Sequence, residues 1–484
     1  MIVVAGIDSS TQSTKVILRN AETGAFLGQG TAPHSPTFPP VSEQDPHDWW
    51  TALVQAMAAA RLDAGVDASE IRAVSVAAQC HGLVALDVDG TVIRKAKLWN
   101  DTTSSPEADE LVASIGATHW VDRVHSLPTA AFTVSKILWL SRHEPDAFAR
   151  MAMVLLPHDW LTFRLTGRFV TDRSEASGTG YFDATRGEYD LDVLRLIDPD
   201  RDWAAHVPTV LAPAEAAGVI LTDIAAELGV SPAAIVGAGS GDQHAGALGL
   251  GARPGDTVFV LGTSGVVYTV SADPVADHTG IVDGVADAAG GYLPLICTLN
   301  AAKVTDAMVR LLNTDHAGLD ELAQAAPRTP DRPVFAAFLD GERTPNLPHA
   351  RGVISGLAAG LSREQFALAA YEGVVFGLVR GMQAISALGV PHGGRLIAIG
   401  GGSASTAYLQ VIADTTGRTV LVAEGPDVVA AGAAVQAAAV LHGRSIPHQR
   451  DLWAPQTVVA AEPRRDPSLD GVWQRYLDTA GWQH

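Results

Sequence analysis

The chain opens on a short apolar run, Ile2–Ile7, of the length and composition of a buried strand. A polar turn follows, Asp8-Ser9-Ser10-Thr11-Gln12-Ser13-Thr14, and Lys15-Val16-Ile17-Leu18 begins a second strand, which predicts a hairpin. Asn20–Gly24 supplies another turn, and Phe26–Gly30 continues the meander. Trp49–Leu62 repeats its apolar positions at helical spacing, and Ile71–Ala77 is strand-like, ending in Gln79-Cys80-His81-Gly82. From Asp109 to Ala212 the pattern reads as mostly helical, broken at Pro128, Pro145 and Pro157. It resets near Ala233, where Ala234–Val236 predicts a strand, Gly237–Gly241 a loop, and Asp242 onward a helix of small residues. Thr257–Leu261 and Val266–Val270 then flank Gly262-Thr263-Ser264-Gly265, repeating the opening hairpin, and Leu396–Ile399, Gly400–Gly402 and Ala404–Thr415 predict strand, loop and helix. Two strand–polar turn–strand units, one early in each half, suggest a duplicated two-lobed architecture split near Ala245–Arg253.

Composition narrows the class. With 484 residues, 47% hydrophobic and 18% charged, the chain can bury the cores of two or three domains. The net charge of −20 repels nucleic acid and anionic membranes, so neither is expected as a partner. Two cysteines, Cys80 and Cys297, form neither a disulfide framework nor a CxxC cluster. Met1–Gly6 lacks a basic leader and Asp8 interrupts it, while the Ala/Gly-rich Val428–Leu441 falls short of the roughly 18–20 residues needed to span a bilayer. The expectation is a soluble, cytoplasmic protein in which Val428–Leu441 is a buried, close-packed helix.

The polar turns carry the candidate chemistry. Asp8, the surrounding hydroxyls and Lys15 could cradle phosphate and hold hydrated Mg²⁺, or form an ordinary Ser/Thr-rich hairpin. Gly262–Gly265 has the same two readings, and Val266 excludes a GxSxG nucleophile elbow there. Gly400-Gly401-Gly402 could let a flat ring or a phosphate lie on bare backbone, but it is not the GxGxxG of a dinucleotide site. Asp242, where a Gly-rich loop enters a helix, suits an N-cap, and it also suits a carboxylate taking a proton from a substrate hydroxyl. Gln79 and His81, with Trp99, Asn100 and Asp101, form two polar clusters at strand ends, of a kind that suits a sugar. The remaining acidic residues, with Arg343 and Arg351, read mostly as solvated surface or interdomain pairs.

In order along the chain, these residues resemble the FGGY carbohydrate kinases of the actin, hexokinase and heat-shock ATPase superfamily. The resemblance rests on Gly6-Ile7-Asp8 with Thr11 and Lys15, Gln79-Cys80-His81-Gly82, Leu98-Trp99-Asn100-Asp101, and Phe132-Thr133 with Lys136 and Trp139. It continues through Leu156-Pro157-His158-Asp159-Trp160, Gly241-Asp242, Gly262–Gly265, Leu339–Pro345, Gly352–Leu357, Tyr371-Glu372-Gly373 and Gly400–Gly402, and so spans roughly residues 2–445. It implies an α/β fold of two actin-like, ribonuclease H-like lobes, 1–244 and 245–484, with ATP and sugar in a central cleft.

The activity implied is transfer of the γ-phosphoryl group of Mg·ATP to a sugar hydroxyl, with O5 of D-xylulose the nearest match. Asp242 would be the general base, and Gln79, Cys80, His81, Trp99, Asp101 and Gln243 the sugar contacts. Asp8 (through water to Mg²⁺), Ser10, Thr11, Ser13 and Lys15 would serve the first phosphate site, Gly262, Thr263 and Ser264 the second, and Gly400, Gly401 and Gly402 the adenosine. Three positions depart from the family pattern: Ser10 stands where glycine is usual, Cys80 where Met or Gln is, and Gln243 where xylulose-directed members often have Asn. The last two bear on which sugar is taken; ribulose, glycerol and gluconate are the alternatives. A non-catalytic sugar sensor or an actin-like assembly module is the rival from another class. The apolar helix near Phe366–Ala384 fits either a homodimer face or core.

Overall fold

In the computed structural model, which describes residues 1–481, the opening run forms the strand Val3–Ser9, and every residue of it is buried. Alternate side chains of a strand point to opposite faces, and here both faces are covered. Val3, Ala5 and Ile7 share one core with Trp49, Leu53 and Ala56 of the helix Pro46–Ala64. Val4 shares another with Ala430, Ala431 and Ala434 of the helix Val428–His442. At Gly6 a methyl group would stand 1.9 Å from the Ala430 carbonyl oxygen, so only glycine lets that helix lie so close. Both helices start on a capping carboxylate. Asp45 accepts from His47 N, Asp427 accepts from Val429 N and Ala430 N, and each helix stops at a left-handed glycine, Gly65 or Gly443.

Val3–Ser9 pairs antiparallel with Ser13–Asn20, which pairs antiparallel with Phe26–Pro33. On its other edge it pairs parallel with Ile71–Ala78; Ile235–Gly237 adds in parallel and Ala216–Val219 closes the sheet antiparallel. The second sheet runs Leu295–Thr298, Gly265–Thr269, Thr257–Leu261, Leu396–Ile399, Val420–Ala423, Thr457–Ala461, with the same succession of antiparallel and parallel neighbours. The duplication suggested by two hairpins thus extends through six strands. It breaks only at the outer edge, where Ala216–Val219 precedes its neighbour in the chain and Thr457–Ala461 follows its own.

The chain folds as two compact units. One comprises Met1–Ala252, Ala272–Leu293 and Gly425–Pro455; the other comprises Arg253–Ser271, Pro294–Glu424 and the chain from Gln456. Where the sequence suggested one cut at 244/245, the path leaves the first unit after Ala252 and returns to it at Ala272 and Gly425. The second return brings Val428–His442 against the helix Asp242–Gly249. A Cβ at Gly432 would lie 1.8 Å from Ala245 O, and one at Gly249 1.8 Å from Val428 O. Gly432→Ala must push these backbones apart at a cost of at least ~1–3 kcal/mol. The expected result is a clearly lower melting temperature; an unchanged one would mean the helices are not in backbone contact.

One expectation needs correction, and one choice left open by the sequence is decided. The stretch from Asp109 to Ala212 is not mostly helical. Between its helices lie the strands Met153–Leu155, Val170–Asp172, Phe182–Asp183, Glu188–Tyr189 and Thr209–Leu211, too short for any periodicity to register. The helix near Phe366–Ala384 is Arg363–Ala387, and Ala367–Val379 is buried without a break, so it is core of its own unit and offers no free apolar face along that span. Among the described residues no helix is long and apolar enough to cross a membrane.

Candidate active site

The first hairpin sets Asp8 opposite Lys15 across the strands. Asp8 is 1% exposed, and Ser10 Oγ donates to both of its oxygens, at 2.6 and 2.8 Å. Ser10, where the family pattern has glycine, therefore folds back on the carboxylate. Lys15 Nζ donates to Asp427 Oδ2 at 2.6 Å, tying the hairpin to the cap of the Val428–His442 helix. Burial, then the Asp427 charge and more weakly that of Asp242, push the Asp8 carboxyl well above the usual range, against Ser10 and Lys15. Three carboxylates against one ammonium leave negative charge on hard oxygen donors, which is the donor set that suits hydrated Mg²⁺. Ser13 closes the turn by accepting Ser10 N through its carbonyl at 3.0 Å.

Thr11 links this hairpin to the expected sugar residues. Its hydroxyl donates to Gln79 Oε1 at 3.2 Å and accepts from Trp99 Nε1 at 3.0 Å. Gln44, which the sequence did not mark, completes the network. Its Nε2 donates to Thr11 O at 2.9 Å, and its Oε1 accepts from Trp49 Nε1 at 2.8 Å and Gln79 Nε2 at 3.3 Å. Asp101 behaves differently. It is 1% exposed, with one oxygen on Ser42 N at 2.8 Å and the other on Thr103 N and Lys97 Nζ at 3.0 and 3.1 Å. Its carboxylate is occupied in fixing the loop that presents Trp99.

His81 sits at the end of the strand Ile71–Ala78 with a left-handed backbone, φ 61°. This conformation is uncommon outside glycine, and the partners of His81 explain why it is held. His81 N donates to Glu175 Oε1, and its carbonyl accepts from the buried Lys136 Nζ at 3.0 Å and from Thr133 Oγ1 at 3.2 Å. Its ring stacks on Phe132 with centroids 5.5 Å apart, and Nδ1 lies 3.3 Å from Glu175 Oε1. Gly178 makes room for it, since a Cβ there would fall 1.9 Å from His81 Cε1. Glu175 is fully buried, contrary to its reading as one more solvated acid. Burial pushes its carboxyl up, but the His81 ring, with His244 and His158, pulls it down to about 2.

Asp242 opens the helix Asp242–Gly249, whose N-cap is Gly241 and not Asp242. Its Oδ1 accepts from Gln243 N at 2.8 Å, Gln243 Nε2 at 3.3 Å and Cys80 Sγ at 3.3 Å. These bonds all fall on Oδ1, and among the described residues Oδ2 is left for a ligand. Burial raises the carboxyl to about 6; the Cys80 and Gln243 bonds oppose this and the Glu175 charge adds to it. Burial, then the Glu175 and Asp242 charges, push the Cys80 thiol up as well, which keeps it a proton donor toward Asp242. Cys80, His81, Asp242 and Gln243 thus meet at one place, and Thr11, Gln79 and Trp99 are joined to one another.

In the second unit, Gly262, Thr263 and Ser264 make the turn between Thr257–Leu261 and Gly265–Thr269, with Thr263 exposed. Gly262 O accepts from Ala302 N at 3.0 Å, which docks the turn on the helix Ala302–Leu311. Gly400 needs its glycine because φ is 86°, and a Cβ there or at Gly402 would meet Leu261 at 2.8 and 2.7 Å. Gly401 alone of the three faces open space. Sequence reasoning missed Glu175, His244, Asp427 and Gln44. For Glu175 a signal existed: one charge inside Ser174-Glu175-Ala176-Ser177-Gly178-Thr179-Gly180, where the small neighbours leave room for something to pack.

Comparison with known proteins places this arrangement. Residues 3–249 match the N-terminal domain, and residues 257–441 the C-terminal domain, of the FGGY family of carbohydrate kinases. The xylulose kinase of Streptomyces coelicolor is 41% identical over 480 residues, covering 99% of this chain and 96% of that one. That of Streptomyces rubiginosus is 41% identical over 471 residues, covering 96% and 94%. The crystal structure of xylulose kinase from Bifidobacterium adolescentis superposes with a TM-score of 0.84 at 33% identity, covering 98% of this chain and 99% of that chain.

Proposed function

The chain belongs to the FGGY family of carbohydrate kinases, and from that premise we propose that it phosphorylates D-xylulose with ATP, Asp242 acting as general base. The observation that carries the catalytic assignment is the Asp242 carboxylate, with Oδ1 pinned by Gln243 and Cys80 and Oδ2 left for a substrate hydroxyl. The substrate assignment is supported by the near full-length identity to xylulose kinases.

Phosphoryl transfer passes through a loose transition state, so the residues act chiefly by alignment and by compensating charge. Oδ2 of Asp242 holds the O5 hydroxyl of the sugar and takes its proton late, as the O5–P bond forms and the γ-phosphoryl leaves ADP. Early removal by a carboxylate near 6 is excluded by the far higher pKa of an alcohol. His81 and Trp99 supply, respectively, a polar ring and an indole to the sugar. Asp8 would hold Mg²⁺ through water, and the ion bound there would offset charge on the β- and γ-phosphate oxygens. Ser10 and Thr11, their hydroxyls committed to Asp8 and Gln79, would shape the first phosphate turn; Ser13 there, and Gly262, Thr263 and Ser264 in the second unit, would serve phosphate oxygens, and Gly401 would leave bare backbone for the adenosine.

A test of substrate is ADP release with Mg·ATP against D-xylulose, D-ribulose, L-ribulose, glycerol and gluconate, with a sugar-free blank. D-xylulose should give the highest kcat/KM. Preference for another acceptor would shift the specificity argument to Cys80 and Gln243, and activity with none would sink the proposal. A second expectation follows from the acidity of Asp242. Protonated, it cannot accept a proton, so kcat/KM for the sugar should fall tenfold per pH unit below about 6. A profile flat down to about pH 4, the ordinary carboxylate range, would put the base elsewhere.

A further inference from the structure

Behind Asp242 lies a donor set that the phosphotransfer reading does not use. Cys80 Sγ, a Glu175 carboxylate oxygen and a His244 ring nitrogen all lie within 4.8 Å of one another. They converge on the space a side chain at Gly241 would fill. A Cβ built there stands 2.2 Å from Glu175 Oε2, 2.6 Å from His244 Nδ1 and 2.7 Å from Cys80 Sγ. His244 is 1% exposed, yet both of its ring nitrogens lack a hydrogen-bond partner, and so does Glu175 Oε2. Buried polar atoms are normally satisfied, and two unsatisfied ones, His244 Nδ1 and Glu175 Oε2, meeting beside the Cys80 sulfur ask for a ligand that accepts their lone pairs. Glu175 Oε1 is already committed to the His81 backbone, so Oε2 is the oxygen available.

We infer that Cys80, Glu175 and His244 form a binding site for a Zn²⁺-class divalent ion, distinct in chemistry from the oxygen-only surroundings of Asp8. One sulfur, one imidazole nitrogen and one carboxylate oxygen make the borderline-soft set that Zn²⁺ takes, and a site that Mg²⁺ avoids. Binding replaces the thiol proton with the metal and releases that proton to solvent. The Sγ–H bond that Cys80 donates to Asp242 Oδ1 is then lost, and a cation stands beside the carboxylate. Filling the site therefore removes one of the groups that pin Asp242 and weakens it as a proton acceptor, so the ion is an inhibitor. This effect on turnover rests on the proposed role of Asp242; the binding itself does not.

Titration of the full-length protein with Co²⁺, a spectroscopic substitute for Zn²⁺, reads the site without any turnover. One equivalent should produce a thiolate-to-cobalt charge-transfer band in the near ultraviolet, and added Zn²⁺ should abolish it while millimolar Mg²⁺ leaves it. Cys80→Ser should lack the band, His244→Gln should weaken Co²⁺ binding at least ~10-fold, and Cys297→Ser should keep both band and affinity. Absence of the band, its survival in Cys80→Ser, or its loss in Cys297→Ser instead would overturn the site. Sugar phosphorylation at fixed Mg·ATP should fall in step with occupancy as free Zn²⁺ is raised with a metal buffer. Occupancy without inhibition would overturn the link to Asp242, whereas an inactive sugar panel would overturn the proposed function and leave the cobalt result standing.

Discussion

Asp242→Asn should lower kcat by ~10²–10⁴-fold, the range for loss of a positioned general base. The substitution is nearly isosteric. Its amide oxygen can still accept from Gln243 N and Cys80 Sγ, so the start of the helix Asp242–Gly249 should survive. An N–H then points where Oδ2 stood, and it cannot take a proton. ATP affinity should be unchanged or slightly tighter, because Asp242 adds to the negative charge felt by Asp8. Single-turnover kinetics and calorimetric ATP binding separate the two effects. Near-normal kcat would leave Asp242 as the first residue of a helix and nothing more.

The second large effect belongs to Glu175→Gln. The buried carboxylate fixes His81 in its left-handed conformation and accepts its N–H, and the amide replaces a charge-assisted bond with a weaker one. Removing one member of a buried charged set costs roughly 3–5 kcal/mol, so denaturant unfolding should show a loss of that order. Sugar kcat/KM, measured well below the melting temperature, should fall at least ~10-fold from misplacement of His81, with little change in the KM for ATP. The acid limb gives an independent check. The folded carboxyl lies at about 2, below the ordinary 4.5, so its contribution to stability is present above 4.5 and is lost as pH falls toward 2. The variant should lack that loss. Stability within ~0.5 kcal/mol of the parent would mean that the carboxylate holds nothing in place.

The fold was legible where structure is local. Thr257–Leu261 and Leu396–Ile399 fall on the bounds that their apolar runs predict, because short buried strands between polar turns carry their own punctuation. The matching strand order of the two sheets was visible only as two hairpins, since the parallel neighbours are set by partners far away in the chain. The site divides in the same way. Asp242, His81 and Gln79 stand at strand or helix ends that the pattern exposes. Glu175, His244 and Asp427 gain their meaning from three segments meeting, and no spacing announces that. Asp101 shows the converse: its place beside Trp99 suggested a sugar contact, but Lys97 and two backbone N–H groups already hold it.

Gly6 and Gly432 let one alanine-rich helix press on both the first strand and the helix of Asp242, yet that helix is written near the end of the gene product. During synthesis, every residue assigned here to the sugar and to proton transfer emerges well before Val428–His442 does. A nascent chain that has reached Glu424 holds every strand of the first sheet but not its covering helix, so Val4 and Gly6 of the sheet and Ala245 of the Asp242–Gly249 helix are bare. The early half of the protein is therefore the last to mature, and until then it presents apolar surface to chaperones and to other chains. A premature stop before Val428 leaves a sheet without its lid.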